Sequence, residues 1–93
     1  MTQTEDEWRG FLKFCLKLKD TKDFEECFDL LFTLEEKEDL AKRIQVIRSL
    51  LEEKKTQREI AKEFNVSIFK ITRGSNALKI VSNRLKEFLK KEL

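Results

Sequence analysis

The sequence predicts an all-α fold, and three observations carry that prediction. There is no proline and there are only two glycines, Gly10 and Gly74, so the turn clusters that punctuate a sandwich or barrel are missing. The composition, 40% apolar and 41% charged, suits amphipathic helices. Apolar residues also recur at helical spacing through most of the chain. At 93 residues the chain reads as a single domain, 1–93, with a core thin enough that a second subunit would help it.

Each element has its own signal. Thr4 and Glu7 have the T-x-x-E spacing of a capping box. The helix they open carries Trp8, Phe11, Leu12, Cys15 and Leu16 on one apolar face, widened by Phe14 and Leu18. Lys19-Asp20-Thr21 ends it without a strong stop. A second helix, about 22–31, carries Phe24, Cys27, Phe28 and Leu31, with Leu30 and Phe32 adding apolar surface. Thr33 and Glu36 form another box at the head of a long helix to about Glu53. Its stripe is Leu40, Ile44, Ile47 and Leu51, widened by Val46 and Leu50. Glu35, Glu36 and Glu38 sit in its first turns, where the helix dipole favours negative charge.

Thr56 and Glu59 make a third box, opening a short helix to Phe64. Asn65 suits a left-handed turn. Ser67 caps a helix over about 68–80. Ser82 caps a last one, with Leu85, Phe88 and Leu89 expected inward. Eight Phe and one Trp in so short a chain are more apolar surface than a monomer of this size easily hides. Residues 1–53 and 82–93 are therefore expected to build a homodimer, with a well-filled monomeric core as the alternative.

The net charge of +2 hides an asymmetry. Residues 1–39 hold 6 Lys+Arg against 12 Asp+Glu, and residues 40–93 hold 14 against 6. A basic C-terminal half fits a polyanionic partner, although solvated helix faces produce the same count. Cys15 and Cys27 lie in apolar stripes and read as core filling; without any histidine a metal site is not expected. The start, MTQTEDEW, is acidic and lacks the apolar stretch of a signal peptide. No run reaches the length of a membrane span. These features together predict a cytoplasmic protein. No cysteine or serine has an evident base partner, so an enzyme is not expected.

Residues 56–80 read as a helix-turn-helix. Two helices that cross steeply need a small residue at the contact, which Ala61 provides. Ile60, Phe64, Val66 and Ile71 are placed to lock the angle, and Asn65 tolerates the positive φ of the turn. Caps at Thr56 and Ser67 leave helix N-termini able to receive phosphates. Ser67, Ile68, Phe69 and Thr72 would face a major groove. Arg58 could bond a guanine, and Gln57, Lys62, Lys70 and Lys79 could hold phosphates. An ordinary helical hairpin with a basic solvent face is the alternative. Gly74 is the odd member: a glycine inside a helix costs roughly 1 kcal/mol relative to alanine, at a place where an apolar residue usually locks the motif.

The run TQREIAKEFNVS followed by ITRGSNALK resembles the bacterial Trp repressor family. So do LFTLEEKEDLAKRIQVIRSLL upstream and DEWRGFLKFCL near the start. The resemblance extends over about Glu5 to Leu93. It implies a six-helix, intertwined homodimer that takes L-tryptophan as corepressor, needs no other cofactor, and closes the double-stranded operators of tryptophan genes. By position, Arg43 and Arg73 would sandwich the indole, with Arg73 also pairing with the carboxylate. Backbone carbonyls near Leu30, Phe32 and Thr33 of the other subunit would accept the ammonium. Gly74 would leave room for the ligand.

Several positions depart from the family's type. Ala77 stands for a serine that can touch the ammonium, and Lys70 stands for a threonine. Lys70 is expected to reinforce a carboxylate or a DNA phosphate. Phe32 replaces a leucine, Ser67 a glycine, Phe69 an alanine and Ala61 a lysine, so the operator is expected to differ from the type's. Two other readings stay open. One is a dimeric DNA binder that ignores tryptophan, which Ala77 favours and the set Arg43, Arg73 and Gly74 opposes. The other is a helical interaction module that does not bind DNA.

Overall fold

The computed structural model of the chain describes residues 2–93. It contains α1 (Gln3–Cys15), α2 (Thr21–Leu31), α3 (Leu34–Glu52), α4 (Gln57–Phe64), α5 (Ile68–Ile80) and α6 (Asn83–Glu92), with no strand among the described residues. The all-α expectation therefore holds. The chain divides into two units, one running to Glu35 and the other spanning Glu36–Leu93.

In the first unit, α1 is capped one half-turn earlier than the sequence suggested. Thr2, not Thr4, accepts the helical N–H: its Oγ1 receives Glu5 N at 3.1 Å. The T-x-x-E spacing occurs twice in this stretch, and the earlier copy is the one used. Glu7 instead accepts from Gln3 Nε2 at 3.0 Å across one turn. The second boundary also moves. Asp20 is the cap of α2, its Oδ1 accepting from Asp23 N at 2.8 Å, so the helix starts at Thr21. Asp20, within the stretch that ends α1, is thus the start signal of α2.

Neither α1 nor α2 contains a buried residue. Their aromatic rings pack on one another. Trp8 and Phe11 lie 5.4 Å apart, and Phe24, Phe28 and Phe32 form a ladder of edge-on contacts at 5.7 and 5.2 Å. Cys15 and Cys27 are free and half-buried. Outward from these rings, Trp8, Leu12, Leu16 and Leu30 are exposed, Leu30 at 83%. The apolar faces that the sequence predicts exist, but a single chain does not cover them.

The second unit holds the core. Val46 from α3, Ile60 from α4 and Ile71 from α5 are buried, with Leu50, Ala61, Phe64 and Val66 packed around them. Ile60 and Ile71 are fully buried, so truncating either to alanine should cost about 2–5 kcal/mol. The lock assigned to Ile60, Phe64, Val66 and Ile71 is therefore the observed one. The turn follows as expected. Asn65 adopts φ 53°, ψ 49°, and Val66 N donates to Ala61 O at 3.0 Å, which closes the end of α4. Ser67 and Ser82 cap α5 and α6, accepting from Lys70 N at 3.3 Å and Leu85 N at 3.1 Å.

Two further features mark this unit. Glu53 has φ 57°, so α3 ends in a left-handed residue that is not glycine, a conformation that costs roughly 1 kcal/mol or more. Leu85 and Phe88, expected inward, are exposed, as are Leu40 and Ile44 on α3. Only Leu89 of that trio on α6 is half-buried. The α6 stripe has correct periodicity, but one chain offers too little facing surface to bury it.

Candidate functional site

The second unit carries a cavity of about 440 Å³ between α3 and α5. Its floor is apolar, made by Val46, Ile47 and Val66. Its rim is charged. Arg43 and Lys42 come from α3, and Lys70 and Arg73 come from α5. Gly74 and Ala77 complete the α5 wall, one turn apart on the same face. Five residues that the sequence singled out for a ligand therefore converge on one space: Arg43, Lys70, Arg73, Gly74 and Ala77. The others, Leu30, Phe32 and Thr33, belong to the first unit. The resemblance draws them from a second subunit.

Gly74 has a more specific geometry than the sequence suggested. A Cβ built there would stand 3.5 Å from Leu50 Cδ1, 3.6 Å from Ile47 Cδ1 and 3.9 Å from Val46 Cγ1. Those are ordinary contact distances. The approach of α5 to α3 does not require a glycine here, since a methyl would fit. Only a longer side chain would run into the cavity floor.

One rim residue escaped the sequence reading. Asp39 lines the cavity and pairs with Arg43 on its own helix, Oδ2 to Nη2 2.8 Å. Lys70 Nζ approaches its other oxygen, Oδ1, at 3.9 Å from the facing helix. The i, i+4 spacing of Asp39 and Arg43 was legible; the approach of Lys70 was not, because it depends on how α5 crosses α3. Arg73 has no ion-pair partner among the described residues. The cavity thus has an apolar floor, one unpaired guanidinium, and a carboxylate that partly neutralises the opposite edge. That arrangement suits a flat apolar body carrying an anionic group.

Most of the residues expected to read DNA are exposed on α4 and α5 or at their heads. Arg58, Lys62, Thr72 and Lys79 are exposed. Ile68 and Phe69 are exposed at the head of α5, Phe69 at 71%. Phe69 and Ser67 also line the cavity, so the cavity and the outer face share a helix turn. Ala61 is packed against the core, which serves the crossing of the two helices. Gln57 is half-buried and its Oε1 accepts from Thr72 Oγ1 at 3.0 Å.

The head of α4 is fixed by a complete capping box. Glu59 N donates to Thr56 Oγ1 at 3.1 Å, and Thr56 N donates to Glu59 Oε1 at 2.9 Å. The Thr56 backbone N–H first, and then the Thr56 hydroxyl, hold the Glu59 carboxyl below the usual glutamate range, and Lys55 adds to the effect. Lys55 itself bridges to Glu63, tying the linker before α4 to its last turn.

No cluster of metal-ligating side chains occurs among the described residues, and no described helix is long and apolar enough to cross a membrane. Comparison with known proteins is consistent along the whole chain. The profile of the family described as Trp repressor protein matches residues 6–93. A Trp operon repressor homolog of Chlamydia trachomatis serovar D is 47% identical over 91 residues, covering 98% of this chain and 97% of that protein. One from Chlamydia caviae is 48% identical over 86 residues, 92% of this chain and 85% of that one. A more distant homolog, from Histophilus somni strain 2336, is 32% identical over 93 residues, covering all of this chain and 88% of its own. With the profile matched from Asp6 to the last residue and identity near one half over nearly full length, this chain belongs to the Trp repressor family of transcription regulators.

Proposed function

We propose that this protein is a tryptophan-dependent transcriptional repressor, in which L-tryptophan acts as corepressor and orients paired helix-turn-helix units on operator DNA. One observation carries the reading: Arg43, Arg73 and Gly74 meet at a cavity whose wall is the recognition helix itself. A ligand there touches the element that reads DNA, so its binding energy can bias that element's position. The guanidinium groups stack on an aromatic face, worth about 0.5–2 kcal/mol. A charge-assisted bond from Arg73 to a carboxylate adds about 1.5–3 kcal/mol.

The working unit in this proposal is an intertwined homodimer. Its support is the set of uncovered apolar side chains, Trp8, Leu12, Leu30, Ile80 and Phe88 among them, together with three helices, α1, α2 and α6, that contain no fully buried residue within one chain. A second copy supplies the missing surface, and carbonyls near Leu30, Phe32 and Thr33 of that copy accept the ammonium. Ligand wedged between α3 and α5 then sets the two readers one turn of DNA apart, ~34 Å, the spacing of helix-turn-helix dimers as a class, the Trp repressor among its standard examples. Exposed Arg58, Lys62, Lys70 and Lys79 contact the duplex, and binding weakens steeply with salt.

The test is operator binding with and without ligand. DNA selected from a random pool by the protein in saturating L-tryptophan supplies the probe. Anisotropy should then show retention that depends on tryptophan. Equal affinity in its absence rejects the corepressor role and leaves the second reading, a regulator of the same family indifferent to tryptophan. Ala77 favours that second reading, since it puts a methyl rather than a hydroxyl on the cavity wall.

A further inference from the structure

We propose that Asp39 is a specificity-determining residue of the cavity, which selects aromatic ligands that carry an N–H donor on the ring edge. The inference rests on the ligand reading above and adds the identity of the group that reads the ring.

Asp39 is the acidic residue on a rim otherwise lined by Lys42, Arg43, Lys70 and Arg73. Its two oxygens are used differently. Oδ2 pairs with Arg43 at 2.8 Å. Oδ1 faces Lys70 Nζ at 3.9 Å, a distance that gives attraction without a hydrogen bond. A carboxylate has about four lone-pair positions, so Oδ1 keeps capacity for a donor arriving from the cavity.

The cavity then orients its ligand. Asp39 offsets the charge of Arg43 and Lys70, which leaves Arg73 as the guanidinium without an ion-pair partner among the described residues. A ligand's anionic group goes there. Lys70 lies about one turn, ~5 Å, before Arg73 and Gly74 on α5, and it is Lys70 that marks the position of Asp39 across the cleft. A bicyclic ring whose anionic group sits at Arg73 lies in the cavity that Asp39 also lines, and in this proposal its far edge meets Oδ1. The apolar floor of Val46 and Ile47 offers no acceptor of its own along the way. A ring N–H bonds Oδ1; a ring sulfur at that edge forgoes the bond, and an anionic substituent there is repelled.

The test is a calorimetric panel of L-tryptophan and its benzothiophene isostere, which replaces the ring N–H by sulfur, on the intact protein and on Asp39→Asn. The variant keeps the size of the side chain at a half-exposed position, and circular dichroism checks that it folds. The expected result is a preference for tryptophan over the isostere of roughly threefold to tenfold in the parent, as one partly solvated charged hydrogen bond provides. That preference should fall substantially in Asp39→Asn. Asparagine still offers an amide oxygen, so Asp39→Ala is the second arm and should lose the preference entirely. If the parent binds both ligands equally, or Asp39→Ala keeps the parent's ratio, Asp39 does not read the ring, while tryptophan binding itself stands. If the parent binds neither ligand, the corepressor reading and this inference both fall.

Discussion

The Thr72 hydroxyl donates to the Gln57 side-chain oxygen at 3.0 Å, joining the second turn of α5 to the first turn of α4. Both residues belong to the face proposed to meet DNA. The bond fixes the Gln57 carboxamide, so its NH₂ group points away from Thr72 and is available to a phosphate. Replacing Thr72 with valine keeps the shape of the side chain and removes the donor. The expected stability loss is small, about 0.5–1 kcal/mol, because the bond is exposed. Operator affinity should fall by more than that loss explains, measured as anisotropy on the selected duplex beside a thermal melt.

The capping box at the head of α4 makes a second, pH-resolved prediction. Thr56→Ala should cost about 1 kcal/mol of stability, as loss of a hydroxyl cap does elsewhere. The Glu59 half of the box depends on ionisation. Its carboxyl is held below the ordinary range by the Thr56 bonds and by Lys55. A depressed folded-state pKa means the contribution is fully present above the unfolded value, ~4.3, and is lost as pH falls through the folded one. Melting temperature followed from pH 7 to pH 3 should therefore drop more for the parent than for Glu59→Gln, which has no carboxyl to protonate. A parallel decline in both proteins would remove Glu59 from the acid sensitivity.

These local devices were the legible part of the molecule. Thr56 with Glu59, Asn65, Ser67 and Ser82 act within a few residues of themselves, so spacing alone located them. Ile60, Phe64, Val66 and Ile71 were legible for the same reason, since a two-helix unit has few ways to pack. Thr2 and Asp20 were missed where a repeated T-x-x-E and a polar stretch allowed two boundaries. Arg43, Arg73 and Gly74 were named together only through the family resemblance; no periodicity brings α3 to α5. Asp39 opposite Lys70 was invisible for that reason. The inward assignment of Leu85 and Phe88 assumed a facing surface, which a single chain lacks.

The uncovered apolar faces predict the assembly. Trp8 is the chain's one tryptophan and is 58% exposed in a single chain. In a dimer that covers α1, its emission should be blue-shifted at micromolar concentration and should move red on dilution as subunits part. Sedimentation equilibrium should give twice the 11.2 kDa chain mass. Leu30→Glu, at a nearly fully exposed site of the single chain, places a charge on that face. It should shift the protein toward monomer and lower its melting temperature. A monomeric parent with red-shifted emission at high concentration would reject the homodimer.

Gly74→Ala separates the helix from the cavity. The built Cβ meets Leu50, Ile47 and Val46 at 3.5 to 3.9 Å, contacts that need no rearrangement. The variant should therefore recover most of the helix penalty of glycine, up to ~1 kcal/mol, and melt at a higher temperature without ligand. Gly74→Leu should not share this gain, because its extra carbons run into the floor formed by Val46 and Ile47. The ligand should respond differently. A methyl takes a modest part of a cavity of about 440 Å³, so alanine should weaken tryptophan binding moderately and leucine should abolish it. Melting scans and calorimetry on the same two variants measure both trends. If alanine lowers the melting temperature, the backbone at position 74 is constrained by something other than these three side chains.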